Sequence, residues 1–237
     1  MTIFSKIWKE RKIFRSIIPT IYFNFHYLPF NQAIKLPILL YKPKFYDLKG
    51  TVKINNGGGC KLKFGMIRLG FPNVSIYPNT GIVFENHGGK IQFNGRCSIG
   101  NNSAISIGSK GYIEFGDKFG ASTTFRIVSY DNVVIGDKTR FGWDCLVLDT
   151  DFHKLTKNSG GYSRGHAPVC IGSNNWFGNG CKVMKRSRTP NYCVIQAGTI
   201  LSEFVSCPEY SVIGNDVRIY SKVSSVWRNI DDDVIEY

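Results

Sequence analysis

From Ile171 the chain repeats every six residues. It divides into IGSNNW, FGNGCK, VMKRSR, TPNYCV, IQAGTI and LSEFVS. The first position of each six holds Ile171, Phe177, Val183, Thr189, Ile195 and Leu201, apolar in all but one case. The fifth holds Asn175, Cys181, Ser187, Cys193, Thr199 and Val205, all small or medium-sized. The same frame stands upstream in IGDKTR, FGWDCL and VLDTDF, led by Ile135, Phe141 and Val147. A fixed short period marks a solenoid, and this one predicts a parallel β-helix. Three six-residue faces make one triangular coil. The first residue of each six points into the narrow interior and must be apolar. The fifth sits by a corner and must be small. Coils then stack about 4.8 Å apart and share backbone hydrogen bonds. Cys145, Cys181 and Cys193 fall at fifth positions. They read as small apolar fillers rather than nucleophiles or metal ligands.

Before about residue 130 similar pieces recur, among them SIGNNS, SIGSKG and EFGDKF, but their intervals shift between six and eight. Coils are expected there with an open register. Residues 1–49 differ. FSKIWKERKIFRSII places Phe4, Ile7, Trp8, Phe14, Ile17 and Ile18 near one helical face, with Lys6, Lys9, Arg11, Lys12 and Arg15 over much of the rest. Pro19 should end that helix. The predicted organisation is a helical, basic-aromatic extension over 1–49, a β-helix over 50–214 and a C-terminal tail over 215–237. The extension has two readings. It packs across the end of the solenoid, or it rests on an anionic membrane surface through Phe4, Trp8 and its lysines.

Apolar residues make up 43% and charged residues 20% of the 237, which fits a globular chain. The net charge of +13 points to an anionic partner: nucleic acid, a phosphate-bearing cofactor or a membrane surface. Nucleic acid is not expected, because no motif for it appears and the basic residues are spread out. The seven cysteines form no CxxC pair and no Cys/His cluster at metal spacing. They read as reduced thiols, and no metal is expected. No apolar run reaches the roughly 18–20 residues that span a bilayer. The N-terminus lacks the apolar core and cleavage site of a secretory signal. The expected location is cytoplasmic, or peripheral on the inner face of the cytoplasmic membrane.

The repeat breaks between His153 and Val169, where the polar, glycine-containing HKLTKNSGGYSRGHAP intervenes. Such excursions, here 153–168, are where solenoids often hold their function. LVLDTDFHKL leads into it, with Asp149, Asp151 and His153 at alternate positions. A neutral imidazole, with its ordinary pKa near ~6.5, suits removal of a hydroxyl proton during acyl transfer. In an extended chain Asp151 and His153 share a face, about 6.5–7 Å apart, so Asp151 could orient the ring. Asp149 is its rival, and the plainer alternative is a polar loop with two solvated acids. His166 could approach an acceptor from the end of the excursion. His87 and His26 read as structural. Lys182, Lys185, Arg186 and Arg188 form either a solvated outer face or an attractor for anions.

These residues resemble the hexapeptide-repeat acyltransferases, in particular the maltose, galactoside and xenobiotic O-acetyltransferase branch. The resemblance rests on DTDFH, the loop after it, PVCIGSNNWFGNGCKV, VIQAGTILS and SVIGNDVRI, within residues 133–218. It implies a left-handed β-helix, a homotrimer with active sites in the clefts between subunits, and acetyl-coenzyme A as acyl donor. It implies His153 as general base and Trp176 beside the donor groove. It sets Gly178, Asn179, Ala197, Gly198 and Ser202 along the pantetheine arm, and Arg218 and Lys222 at the phosphates. The basic, aromatic first part of the chain is similar to polysaccharide-modifying acetyltransferases of bacterial surface-glycan pathways. The implied acceptor is therefore a sugar hydroxyl of a surface polysaccharide or its precursor, lipid-linked or free. The alternative is a non-catalytic membrane- or anion-binding β-helix scaffold.

Overall fold

The computed structural model of the chain describes residues 16–55, 61–153 and 164–215. Its strands form three parallel sheets. The first face runs from Ile38–Leu40 to Val212–Ile213, the second from Pro43–Leu48 to Ile200–Leu201, and the third from Thr51–Ile54 to Arg188–Thr189. Successive strands visit the three faces in rotation, and each pairs only with the strands one coil before and one coil after it. This is a left-handed parallel β-helix.

Alternation along the strands builds the core. On the second face Ile105, Ile127, Val147, Val183 and Leu201 are in register, one above another, and all are buried. On the first face Ile99, Ala121, Phe141, Phe177, Ile195 and Ile213 make the matching column. The rings of Phe141 and Phe177 stack there with centroids 4.1 Å apart. Every expected first-position and fifth-position residue from Ile171 to Val205 is buried. Thr189 breaks the apolar rule at no cost, because the Asn175 amide donates to its hydroxyl at 2.7 Å.

The upstream register has a physical reason. Trp176 pairs with Val194, so the coil between them closes in three sixes. The coil that pairs Gly120 with Arg140 is longer, and the one that pairs Ser98 with Gly120 is longer still. The strands of these earlier coils are mostly longer too, and several place two residues inward, as Ile105 and Ile107 do. The coil thus narrows along the chain, and only its narrow part obeys a strict six.

The N-terminal region corrects two expectations. Pro19 does not end a helix. It lies in the first turn of the helix Ile17–Tyr27, where a missing N–H loses no intrahelical bond. The coils begin at Ile38 rather than at residue 50, since Ile38–Leu40 and Pro43–Leu48 are the first strands of two sheets. The helix closes the open end of the stack. Thr20 Oγ1 accepts from Leu40 N–H at 3.2 Å, and Asn24 Oδ1 from Ile38 N–H at 3.2 Å. Asn24 Nδ2 donates to Ile38 O at 2.7 Å, Ser16 Oγ accepts from Lys42 N–H, and His26 Nε2 reaches Leu48 O at 2.8 Å. These bonds satisfy the edge that a first coil would otherwise expose. Phe23 fills the space between helix and coils against Phe45 and Phe84. The helix Ile17–Tyr27 thus packs across the end of the solenoid. The expected helix face over Phe4–Phe14 lies outside the described residues, as do Arg218 and Lys222.

Candidate active site

Leaving the coil exposes backbone, and the chain closes the gap with hydrogen bonds. At the end of the strand Leu146–Leu148 the buried Asp149 turns inward. Its carboxylate accepts from Ser129 Oγ at 2.8 Å, Tyr130 N–H at 2.7 Å and Asp131 N–H at 2.9 Å. Burial pushes its pKa above the ordinary carboxylate range, against the opposing effect of these donors. The two legs of the excursion then meet. Thr150 bridges His166 in antiparallel fashion, Asp151 N–H donates to Gly165 O at 2.7 Å, and Ala167 N–H to Asp149 O at 2.9 Å. Beyond this neck Phe152 takes a left-handed φ of 61° and sets its ring edge-on against Tyr130. His153 follows and is exposed.

The carboxylates beside it have other duties. Asp151 pairs with Lys185 Nζ, and that ammonium also reaches Arg164 O at 3.4 Å. The Asp151 carboxylate, expected to orient His153, fastens the neck to the next coil through Lys185. Asp149, the rival, is enclosed by backbone donors. Among the described residues no carboxylate is hydrogen-bonded to His153. On the other leg of the excursion His166 holds a carboxylate: its Nδ1 lies 2.9 Å from Asp131 Oδ2, an oxygen shared with Arg164 at 3.1 Å. Sequence reasoning missed Lys185 in this role, although the repeat frame contains it. Leu148 pairs with Met184, so Lys185 stands one coil beyond Asp149, close to where the neck closes.

The expected donor-binding residues gather at a different corner, between the first and second faces. One residue per coil there has positive φ: Lys42, Gly81, Asn102, Thr124, Asp144, Gly180 and Gly198. The last two are glycines, at φ 70° and 74°, so the corner loses its side chains in the coils next to Trp176. A Cβ placed on Gly198 would meet nothing within 4 Å, whereas one on the buried Gly178 would lie 2.6 Å from Ala197 N. Asn179 Oδ1 accepts from Trp143 N–H at 3.1 Å, and Asn179 O accepts from Gly198 N–H at 2.7 Å. Ala197 and Gly198 are exposed, and Trp176 is 40% exposed two residues before Gly178. The result is an open ledge of backbone beside an aromatic ring, which fits an extended pantetheine arm with close backbone approach. Ser202 is exposed but follows the strand Ile200–Leu201, at the far end of that face from Gly198.

His153 and this ledge do not meet within one chain. The excursion leaves from one end of the second face and the glycines precede its other end. The strand Lys182–Met184 lies between the Gly180 corner and Lys185, to which the neck is tied, and at ~3.3 Å per residue a three-residue strand spans about 10 Å.

The cysteines are fillers, as expected. Cys145, Cys181 and Cys193 are buried, and burial pushes the Cys193 thiol up to about 12. Such a thiol is protonated at neutral pH and is no nucleophile. His87 is held between Asp47 and Glu85 at 3.0 Å each, far along the sequence from the excursion.

No family model matches the chain. Over 108 residues it is 28% identical to an uncharacterized 24.8 kDa protein in the cps region of Klebsiella pneumoniae. That segment is 45% of this chain and 48% of the relative, so the match spans about half the relative's length. Similar solved structures include the polySia specific acetyltransferase NeuO, at 17% identity and a TM-score of 0.48, over 81% of this chain and 92% of that one. The polysialic acid O-acetyltransferase OatWY gives 17% and 0.43, over 85% and 83%. The hexapeptide-repeat containing acetyltransferase VCA0836 of Vibrio cholerae, solved with acetyl coenzyme A, gives 15% and 0.42, over 52% and 69%. The architecture of the present chain is the hexapeptide-repeat solenoid. Likeness at this level says nothing of its activity.

Proposed function

We propose that the protein is an acetyl-coenzyme A-dependent O-acetyltransferase acting on a sugar hydroxyl of a bacterial surface polysaccharide or its precursor. One observation supports this above the others. An exposed histidine stands beyond a pinched neck at one corner of the coils, and a side-chain-free ledge beside Trp176 stands at another. Neither corner is sufficient alone. Brought together by neighbouring copies, they supply a proton acceptor and a groove for an acyl donor. A homotrimer does this with one kind of contact, because a cyclic assembly sets the excursion of each copy against the ledge of the next.

The chemistry then follows. When bound, the donor presents an electrophilic thioester carbonyl. The acceptor hydroxyl oxygen forms a bond to that carbon, and the O–H proton passes to the imidazole of His153. The C–S bond breaks, and the proton returns to the departing sulfur. General-base help of this kind contributes about 10²- to 10⁴-fold. The neck bonds of Asp151 and Lys185 hold the segment that presents His153, which makes them positioning residues. The glycan acceptor rests on the sequence resemblance.

The test is acetyl transfer from acetyl-coenzyme A to purified glycan acceptors, followed by release of free thiol. His153→Ala is expected to lower kcat by about 10²–10⁴ while the β-sheet circular dichroism stays unchanged. A variant with the wild-type rate would remove His153 from the mechanism.

A further inference from the structure

The helix Ile17–Tyr27 is polar where a surface helix is usually apolar. Its inner face presents Thr20, Phe23, Asn24 and Tyr27, and Thr20 and Asn24 are committed to the edge of the first coil. Its outer face presents Ile18, Ile21, Tyr22 and Phe25, at i, i+3, i+4 and i+7. Ile18 is 80% exposed, and in the short helix and turn that follow, Phe30 is 71% and Ile34 60% exposed. Because the open coil edge demands polar partners, the apolar residues of this segment turn outward. The rings of Phe25 and Phe30 meet edge-on with centroids 6.0 Å apart, which joins the helix stripe to the segment after it, and apolar groupings of this kind mark interaction surfaces.

We propose that this patch rests on an anionic lipid surface. Charge selects that partner. In sequence, the fifteen residues before Ser16 include Lys6, Lys9, Arg11, Lys12 and Arg15 against Glu10 alone, and Lys35 is exposed just after Ile34. A second copy of the chain would bring two such cationic flanks together, whereas an anionic leaflet attracts both. Among the described residues no helix is long and apolar enough to cross a membrane. The helix therefore lies in the interfacial plane, with its apolar stripe toward the acyl chains and its polar face on the protein. Tyr22, Phe25 and Phe30 belong to the aromatic class that suits this boundary. The patch differs from the residues that sequence reasoning named for membrane contact, Phe4 and Trp8.

Sedimentation of the full chain with lipid vesicles tests this. Vesicles of equal parts phosphatidylcholine and phosphatidylglycerol are expected to carry the protein down, and phosphatidylcholine alone to hold at least tenfold less. The double variant Ile18→Glu, Phe30→Glu changes only exposed positions, so its circular dichroism should match the wild type. Its binding to the anionic vesicles is expected to fall at least tenfold. Wild-type protein that stays in the supernatant overturns the proposal, and so does a double variant that binds as well as wild type. If the wild type binds no vesicles and the double variant has a lower mass by light scattering, the patch is instead a contact between copies.

Discussion

At Asp149 the chain leaves the coil, and one carboxylate gathers three donors that the departure would strand. Replacing it with alanine leaves the backbone N–H groups of Tyr130 and Asp131 without their acceptor, while Ser129 Oγ keeps Tyr112 O at 3.0 Å. Asp149→Ala is expected to lower stability by about 2–4 kcal/mol, measured by urea unfolding. The pH dependence has a definite sign. Burial raises the folded-state pKa, so the native chain binds this proton more tightly than the unfolded chain does. The contribution of Asp149 to stability is greatest below the ordinary carboxylate pKa of about 4. It declines as the pH rises from there through the raised value, and Asp149→Asn should flatten that decline. The position of His153 at the break of the repeat was legible in the sequence, because a histidine stood where a strict six ended. The surroundings of Asp151 were not. Alternate positions in an extended strand set Asp151 beside His153, but the strand ends before Asp151, and the ion-pair partner of Asp151, Lys185, comes from the next coil.

The corner of the coil is the element that shapes the ledge proposed for the donor. Polar residues hold the left-handed position at Asn102, Thr124 and Asp144, and glycine takes over at Gly180 and Gly198. Gly198→Val adds a β-branched side chain at φ 74°, with nothing nearby to clash. The expected stability loss is therefore only backbone strain, about 1–2 kcal/mol. KM for acetyl-coenzyme A should rise at least tenfold as the side chain fills the ledge. An unchanged KM would place the donor elsewhere. The later coils were readable because each closes in three sixes. The earlier coils were not, since their longer turns place two residues inward on a strand and blur the period. Pro19 misled for a local reason: a proline that breaks a helix interior is at home in a first turn.

At the scale of the whole molecule, the first end of the solenoid is set by its cap. The first coil is capped by a helix whose polar face is used up on the open edge, which leaves its apolar face outward. No hydropathy pattern distinguishes that arrangement from an ordinary amphipathic helix, because the sequence does not say which face meets the coil. The proposed site is a property of an assembly. His153 and the Gly178–Gly198 ledge belong to separate corners of the coil, so the proposed activity calls for a neighbour to supply what each corner lacks. Subunit mixing tests this most directly. His153→Ala and Gly198→Val chains, each inactive alone at low donor concentration, would be co-expressed with different tags and the mixed assemblies isolated. The account predicts recovered acetyl transfer, with about a third of the sites in each mixed trimer rebuilt from one intact histidine and one intact ledge. Mixed trimers as inactive as their parents would contradict a site shared between copies.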